Sequence, residues 1–156
     1  MTKLEFSTLS KTWILDIDGT LVKHNGYKID GYDTLLDGVK EFFDNLSPND
    51  KVVMLTARKE EYLEDLKKFL KENNLRYDYL LTDMPMGERI LINDRKPSGL
   101  KCAYAINLNR DSSFELDYKI NSLYDYILYR NGKLFYKLPK EVRKNEYKNK
   151  IKKLKK

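Results

Sequence analysis

The sequence predicts an α/β protein, more specifically a Rossmann-like doubly wound, mainly parallel sheet with helices on both faces. Short apolar runs typical of buried strands alternate with amphipathic segments typical of helices. Three of these runs also end in polar side chains, as expected where strand ends form a ligand site. We expect one domain over residues 1–138, followed by a basic tail, flexible or helical, over residues 139–156.

The first half of the chain divides into strands and helices. Residues 11–16 and 51–56 are short apolar runs and are interpreted as buried strands. Residues 22–31 are polar and rich in turn formers, which indicates a hairpin or flap. Apolar side chains recur at helical spacing over residues 35–46 and again over residues 60–72, so each segment is predicted to be an amphipathic helix.

Three further strand-like runs follow, over residues 77–82, 89–93 and 102–107. Only residues 83–88 separate the first two, which is too few for a helix. The connection there is therefore either fully extended or made by an unusual arrangement of strands.

The segment before Asn131-Gly132 has two interpretations. Ser112 and Glu115 have the spacing of a capping box and precede apolar side chains at helical spacing, which predicts a final helix. The alternative is a hairpin that turns at Asn131-Gly132 and pairs residues 126–129 with residues 134–137.

Charge is concentrated at the C-terminal end. Residues 139–156 contain nine Lys or Arg and two Glu, a net charge of +7, while the whole chain carries +6, so the remainder sums to −1. A solvated tail is the plainest interpretation, and binding to nucleic acid or another anionic surface is the alternative. Cys102 is the only cysteine, which excludes an intrachain disulfide. No apolar run approaches the ~18 residues of a membrane span, so we expect a cytoplasmic protein without a membrane partner.

The two aspartates at the end of the first strand carry the strongest functional signal. Asp16 and Asp18 are two residues apart, and side chains at that spacing point the same way along a strand. Paired carboxylates suit Mg²⁺ binding, or phosphoryl transfer in which one attacks phosphorus and the other moves a proton. An EF-hand is excluded, because Leu21 and Tyr27 stand where its loop needs Gly and Glu.

Two other strand ends are also polar. Thr56 follows the second strand, and Asn93-Asp94 follows the run that begins at Arg89. Strand ends of a doubly wound sheet converge on one ligand site, so these side chains are expected near Asp16 and Asp18.

With DIDGT over residues 16–20, the hydroxyl of Thr56 in VVMLTAR and the IND run that ends at Asp94, the chain resembles the haloacid dehalogenase superfamily of phosphotransferases. The resemblance implies an Asp16 nucleophile that forms an aspartyl-phosphate, and Asp18 as general acid and then base. It further implies that Thr56 binds a phosphoryl oxygen, and that Asp16, Asp18 through its carbonyl, and Asp94 hold Mg²⁺.

The family also uses a Lys or Arg to neutralise the phosphate, usually on a helix that this chain has no room for. Arg89 is the candidate and Lys96 its rival. Arg58, two residues after Thr56, is a further phosphate-binding candidate, or it simply begins the following helix.

The short segments between the motifs resemble a capless type of this family. The implied activity is a Mg²⁺-dependent phosphomonoester hydrolase, acting on a small phosphorylated sugar or related metabolite in an open site. An oligomer is left open. One alternative is a polynucleotide 3′-phosphatase whose basic tail holds the backbone, and another is a binding module of the same fold without catalysis.

Overall fold

The structure is a computed structural model. The residues it describes are 4–97, 99–122, 127–130 and 133–136. The tail predicted over residues 139–156 therefore lies outside the described residues. In the part of the chain that is described, no helix is long and apolar enough to cross a membrane.

The chain divides into two compact units. The first unit comprises residues 10–89 and 106–116, and the second comprises residues 1–9, 90–105 and those from 117 onward. Along the chain the elements are β1 (Leu4–Phe6), β2 (Thr12–Asp16), α1 (Gly26–Ile29), α2 (Val39–Asp44), β3 (Lys51–Leu55), a 3₁₀ turn (Glu60–Tyr62), α3 (Leu63–Glu72), β4 (Tyr79–Leu81), β5 (Tyr118–Ile120), β6 (Ile127–Arg130) and β7 (Lys133–Tyr136).

A parallel sheet in the order β2-β3-β4 organises the first unit. Side chains alternate across it, so that Trp13 and Leu15 are buried while Ile14 between them is half exposed. Helix α2 covers the buried face, where Phe42 meets the Trp13 ring edge-on at 5.1 Å between centroids. The coarse prediction of an α/β protein with a parallel sheet is confirmed.

Most of the predicted elements of the first unit are present. β2, β3 and β4 lie within the predicted strands, and the 3₁₀ turn with α3 spans the predicted helix over residues 60–72. The helix predicted over residues 35–46 is shorter, because Leu35 pairs with Val22 and Gly38 has a left-handed backbone (φ +81°) that cannot lie inside a helix. The Val22–Leu35 bridge closes residues 23–34 into a flap that contains α1.

Gly38 is the position where an added methyl group should cost most. A Cβ at Gly38 would lie 2.6 Å from the carbonyl oxygen of Phe114, whereas at Gly31, also at φ +81°, it would meet nothing within 4 Å. We expect Gly31→Ala to lower the free energy of unfolding by about 1 kcal/mol, through the left-handed backbone alone. Gly38→Ala should lower it by about 2–4 kcal/mol, because overpacking adds to that cost. Urea unfolding of both variants measures the difference, and equal losses would contradict the expectation.

Two of the predicted strands are absent. The described residues contain no strand over 89–93 or over 102–107, so both predicted strands are wrong. Ile90 and Ile92 are 82% and 90% exposed, and none of the described strands pairs with them. An apolar run forms a strand only where it can pair with a neighbouring strand, which explains why the prediction failed. The hydroxyl of Tyr104 instead donates to the carbonyl of Glu5 at 2.9 Å.

The predicted final helix is also wrong, and the alternative hairpin is confirmed. β5 pairs in parallel with β1, with Leu4 opposite Tyr118. β6 and β7 are antiparallel, with Tyr129 opposite Leu134 and Arg130 opposite Lys133. The turn predicted at Asn131-Gly132 lies outside the described residues.

Candidate active site

The loop that follows β2 presents the two aspartates. The carbonyl of Ile17 accepts hydrogen bonds from the backbone of Thr20, Leu21 and Val22 at 2.9–3.2 Å, which turns the chain sharply after the strand. Gly19 has a left-handed backbone (φ +85°), and a Cβ there would lie 2.9 Å from Cγ of Arg110. The Gly in DIDGT is therefore required both by its conformation and by its neighbour.

Asp16 is anchored through one oxygen and open at the other. Its Oδ2 accepts a hydrogen bond from the hydroxyl of Thr20 at 3.1 Å. Its Oδ1 accepts no side-chain hydrogen bond from the described residues, and the side chain is 44% exposed. Burial of the rest of the group raises the pKa of Asp16, and the neighbouring charge of Asp18 adds to the rise, while the Thr20 hydrogen bond and the charge of Arg89 oppose it.

Asp18 is held by Thr56 and Arg58. The hydroxyl of Thr56 donates to Oδ2 at 2.8 Å, and Arg58 donates through Nε at 3.1 Å and through Nη2 at 2.8 Å. Thr56 is fully buried, and its hydroxyl also accepts the backbone N–H of Arg58 at 3.1 Å. In this arrangement the two predicted phosphate-binding residues that follow β3 contact Asp18, and they orient its carboxylate.

Asp33 completes the surroundings of Arg58 from the flap. The Nη1 and Nη2 atoms of Arg58 donate to the two carboxylate oxygens of Asp33, both at 2.7 Å. The ring of Tyr27 lies against the guanidinium, 3.9 Å from its carbon atom to the ring centroid. Burial alone would lower the pKa of Arg58, but the hydrogen bonds that it donates to Asp33 and Asp18 outweigh burial and raise the pKa.

Arg89, the candidate neutralising cation, lies beside Asp16. Its Nη2 is 3.9 Å from Oδ1 of Asp16, and its Nη1 donates to the carbonyls of Pro85 and Gly87 at 2.8 Å each. The two backbone bonds hold the guanidinium while 40% of the side chain stays exposed. Asp94 and Lys96, the predicted metal ligand and the rival cation, both belong to the second unit, where their charged atoms are 3.7 Å apart.

Residues 109–114 brace the aspartate loop and the flap. The backbone N–H of Asp111 donates to the carbonyl of Gly19 at 3.0 Å, and the Oδ1 of Asp111 accepts the backbone N–H of His24 at 2.6 Å. The backbone N–H of Phe114 donates to the carbonyl of Asp37 at 2.7 Å. A distant part of the chain therefore fixes the loop that carries Asp18.

The oxygen atoms at the loop are of the kind that binds Mg²⁺. Among the described residues, no side chain donates a hydrogen bond to Oδ1 of Asp16, and no backbone N–H donates to the carbonyl oxygen of Asp18. Both oxygens are hard ligands. Within the ranges that the structure describes, no group of three or more His, Cys, Asp or Glu side chains is placed to hold a metal. The donor chemistry fits the predicted ion, with two oxygens from this loop.

Sequence reasoning missed Asp33, Tyr27 and Asp111. Asp33 and Tyr27 lie in a segment interpreted only as a polar flap, and their distance of 25 or more residues from Arg58 leaves no spacing signal. Asp111 lay in a segment between a predicted strand and a predicted helix. Only Thr20 had a local signal, since it follows Asp16 by four residues within the DIDGT run.

Comparison of the chain with protein-family models, with curated proteins and with solved structures finds no match. The function of the protein is therefore inferred from the residues of the site.

Proposed function

We propose that this protein is a Mg²⁺-dependent phosphomonoester hydrolase of the capless haloacid dehalogenase type, with Asp16 as its nucleophile. The observation that carries the proposal is the asymmetry of the Asp16 carboxylate. One oxygen is fixed by Thr20, while the other is open and has Arg89 beside it. A nucleophile needs one exposed atom on a side chain that is otherwise held in place.

In the proposed reaction, Oδ1 of Asp16 attacks the phosphorus of the monoester. A bond from that oxygen to phosphorus forms, the ester P–O bond breaks, and the leaving oxygen takes a proton from Asp18. Water then attacks the aspartyl-phosphate and gives a proton to Asp18. Inorganic phosphate leaves, and the Asp16 carboxylate is restored.

The contacts of Asp18 leave room for this proton. A carboxylate offers about four acceptor positions. Three hydrogens occupy them here, one from Thr56 and two from Arg58, of which the Nε hydrogen is shared between both oxygens. When the shared Nε hydrogen moves fully to one oxygen, the other oxygen has one position for a proton that is passed to the leaving group or taken from water.

Charge must be offset, because the attacking carboxylate and the phosphate are both negative. Arg89 supplies one positive charge 3.9 Å from Asp16. The carboxylate of Asp16 and the carbonyl of Asp18 would hold Mg²⁺, which when bound supplies further positive charge against the phosphoryl oxygens. Asp94 stays a predicted third ligand from the sequence.

The arrangement of the first unit supports a capless enzyme of Rossmann-like fold. The sheet order β2-β3-β4 follows the chain, and between Arg58 and Arg89 the chain forms only the 3₁₀ turn, α3 and β4. The exposed side of Asp16 suits a small phosphorylated sugar or a related metabolite, and we propose that class as substrate.

The test is hydrolysis of 4-nitrophenyl phosphate by the purified protein, with Mg²⁺ and with excess chelator. We expect turnover that rises with Mg²⁺ and falls at least about 100-fold when the metal is removed. Beryllium fluoride, which mimics a phosphoryl group on a carboxylate, should add a fluorine resonance that depends on Mg²⁺. Folded, Mg²⁺-loaded protein that shows neither turnover nor the fluorine signal would contradict the proposal.

A further inference from the structure

We propose that Asp33 is a positioning residue for proton transfer, acting through Arg58 on Asp18. The inference rests on the proposed phosphatase function and extends it to a flap residue outside the motifs. Asp33 lies 25 residues before Arg58 in the chain and binds the guanidinium edge next to the one that holds Asp18. Asp33 itself makes no contact with the reacting groups in this scheme.

The geometry makes Arg58 a rigid bridge between the two carboxylates. The Nε and Nη2 edge donates to Asp18, and the Nη1 and Nη2 edge donates to Asp33 in a two-pronged pair at 2.7 Å. Because Nη2 is shared, Arg58 cannot turn away from Asp18 without breaking its bonds to Asp33. Because the guanidinium is planar and rigid, a change in the position of the Asp33 carboxylate also changes the position of the Asp18 carboxylate.

Burial strengthens this coupling. The side chains of Arg58 and Asp33 are 2% and 5% exposed, so water does not replace a lost hydrogen bond as it would at the surface. The Tyr27 ring against the guanidinium also limits its rotation out of plane. By contrast, the ion pair between Asp30 and Lys23 in the same flap is accessible to solvent. Asp33 is therefore the flap carboxylate whose contacts lead to the site.

The role of Asp18 determines what should change when Asp33 is altered. Proton donation matters most for a poor leaving group, which departs as a strongly basic oxygen, and least for a good one. A misplaced Asp18 should slow hydrolysis of phenyl phosphate more than hydrolysis of 4-nitrophenyl phosphate. A merely structural loss would slow both substrates by the same factor.

The experiment compares kcat/KM for these two substrates, which differ only by the para nitro group, in the Mg²⁺-loaded full chain. In Asp33→Asn we expect the preference for 4-nitrophenyl phosphate to increase about ten-fold or more over the unaltered protein. The control Asp30→Asn, in the same flap, should leave the preference unchanged. Asp33→Glu keeps the charge, so it should increase the preference for 4-nitrophenyl phosphate less than Asp33→Asn does. This variant tests the inference if Asp33→Asn does not fold.

The outcomes separate this inference from the function on which it rests. If the unaltered protein hydrolyses neither phosphate, the proposed function fails and the role of Asp33 fails with it. If the unaltered protein is active and the Asp33 variants retain its preference, or slow both substrates equally, the function stands and the positioning role is overturned.

Discussion

Asp16→Asn should abolish phosphatase turnover, by at least about 1,000-fold, and should at the same time make the fold more stable at neutral pH. The loss of activity follows from removal of the attacking oxygen, because an amide does not form the covalent intermediate. The gain in stability follows from the site itself, where burial raises the pKa of Asp16 and so disfavours its charged form.

The sign of the pH dependence can be worked out from this shift. Below the ordinary pKa of 3.8, Asp16 is protonated in the folded and unfolded states, and its ionisation costs nothing. As the pH rises from 3.8 through the raised pKa of the folded state, Asp16 loses its proton more readily in the unfolded chain than in the folded one. The free energy of unfolding therefore decreases over this range. The advantage of Asp16→Asn should therefore appear as the pH rises above 3.8 and vanish below it.

Melting temperatures of both proteins between pH 3 and pH 8 measure this effect, beside the aryl phosphate assay. Asp44→Asn is the matched control, because Asp44 is 59% exposed and forms a surface ion pair with Lys40. Asp44→Asn should leave activity unchanged. An Asp16→Asn protein less stable than the unaltered chain at pH 7 would show that the Thr20 and Arg89 interactions outweigh the cost of burial.

Arg58→Met should cause the largest loss of stability among single changes at the site. It removes the cation between Asp18 and Asp33 and leaves two carboxylates, 16% and 5% exposed, without the positive charge that offsets them. Removing one partner of a buried ion pair typically lowers the free energy of unfolding by about 3–5 kcal/mol. We expect a decrease of that size in the free energy of unfolding, measured by urea titration.

Two further variants test the cause of that loss. Arg58→Lys retains the charge but cannot bind both carboxylates at once. Its free energy of unfolding should therefore lie between those of the unaltered protein and Arg58→Met. Adding Asp33→Asn to Arg58→Met removes one unpaired charge and should restore part of the loss, because the two sites are coupled. A loss below about 1 kcal/mol for Arg58→Met would mean that water reaches these carboxylates.

The elements that were predicted correctly have strong local signals. β2, β3 and α3 follow from apolar spacing within a few residues, and β4 lies between clear breaks in the pattern. The segment before Asn131-Gly132 carried two conflicting signals, helical spacing and a hairpin turn. Strand pairing decided between them, and pairing depends on residues far away in the chain.

The sequence by itself determined where Asp16 and Asp18, the proposed reacting pair, lie in the fold. A strand of alternating burial places Asp16 at its end and a glycine turn presents Asp18 just beyond it, and both are consequences of short-range geometry. Only the tertiary structure decided how Asp18 is held. The Arg58 bridge to Asp33 joins residues 25 positions apart, and such a contact exists only when the flap folds back over the end of β3 and buries the charges together.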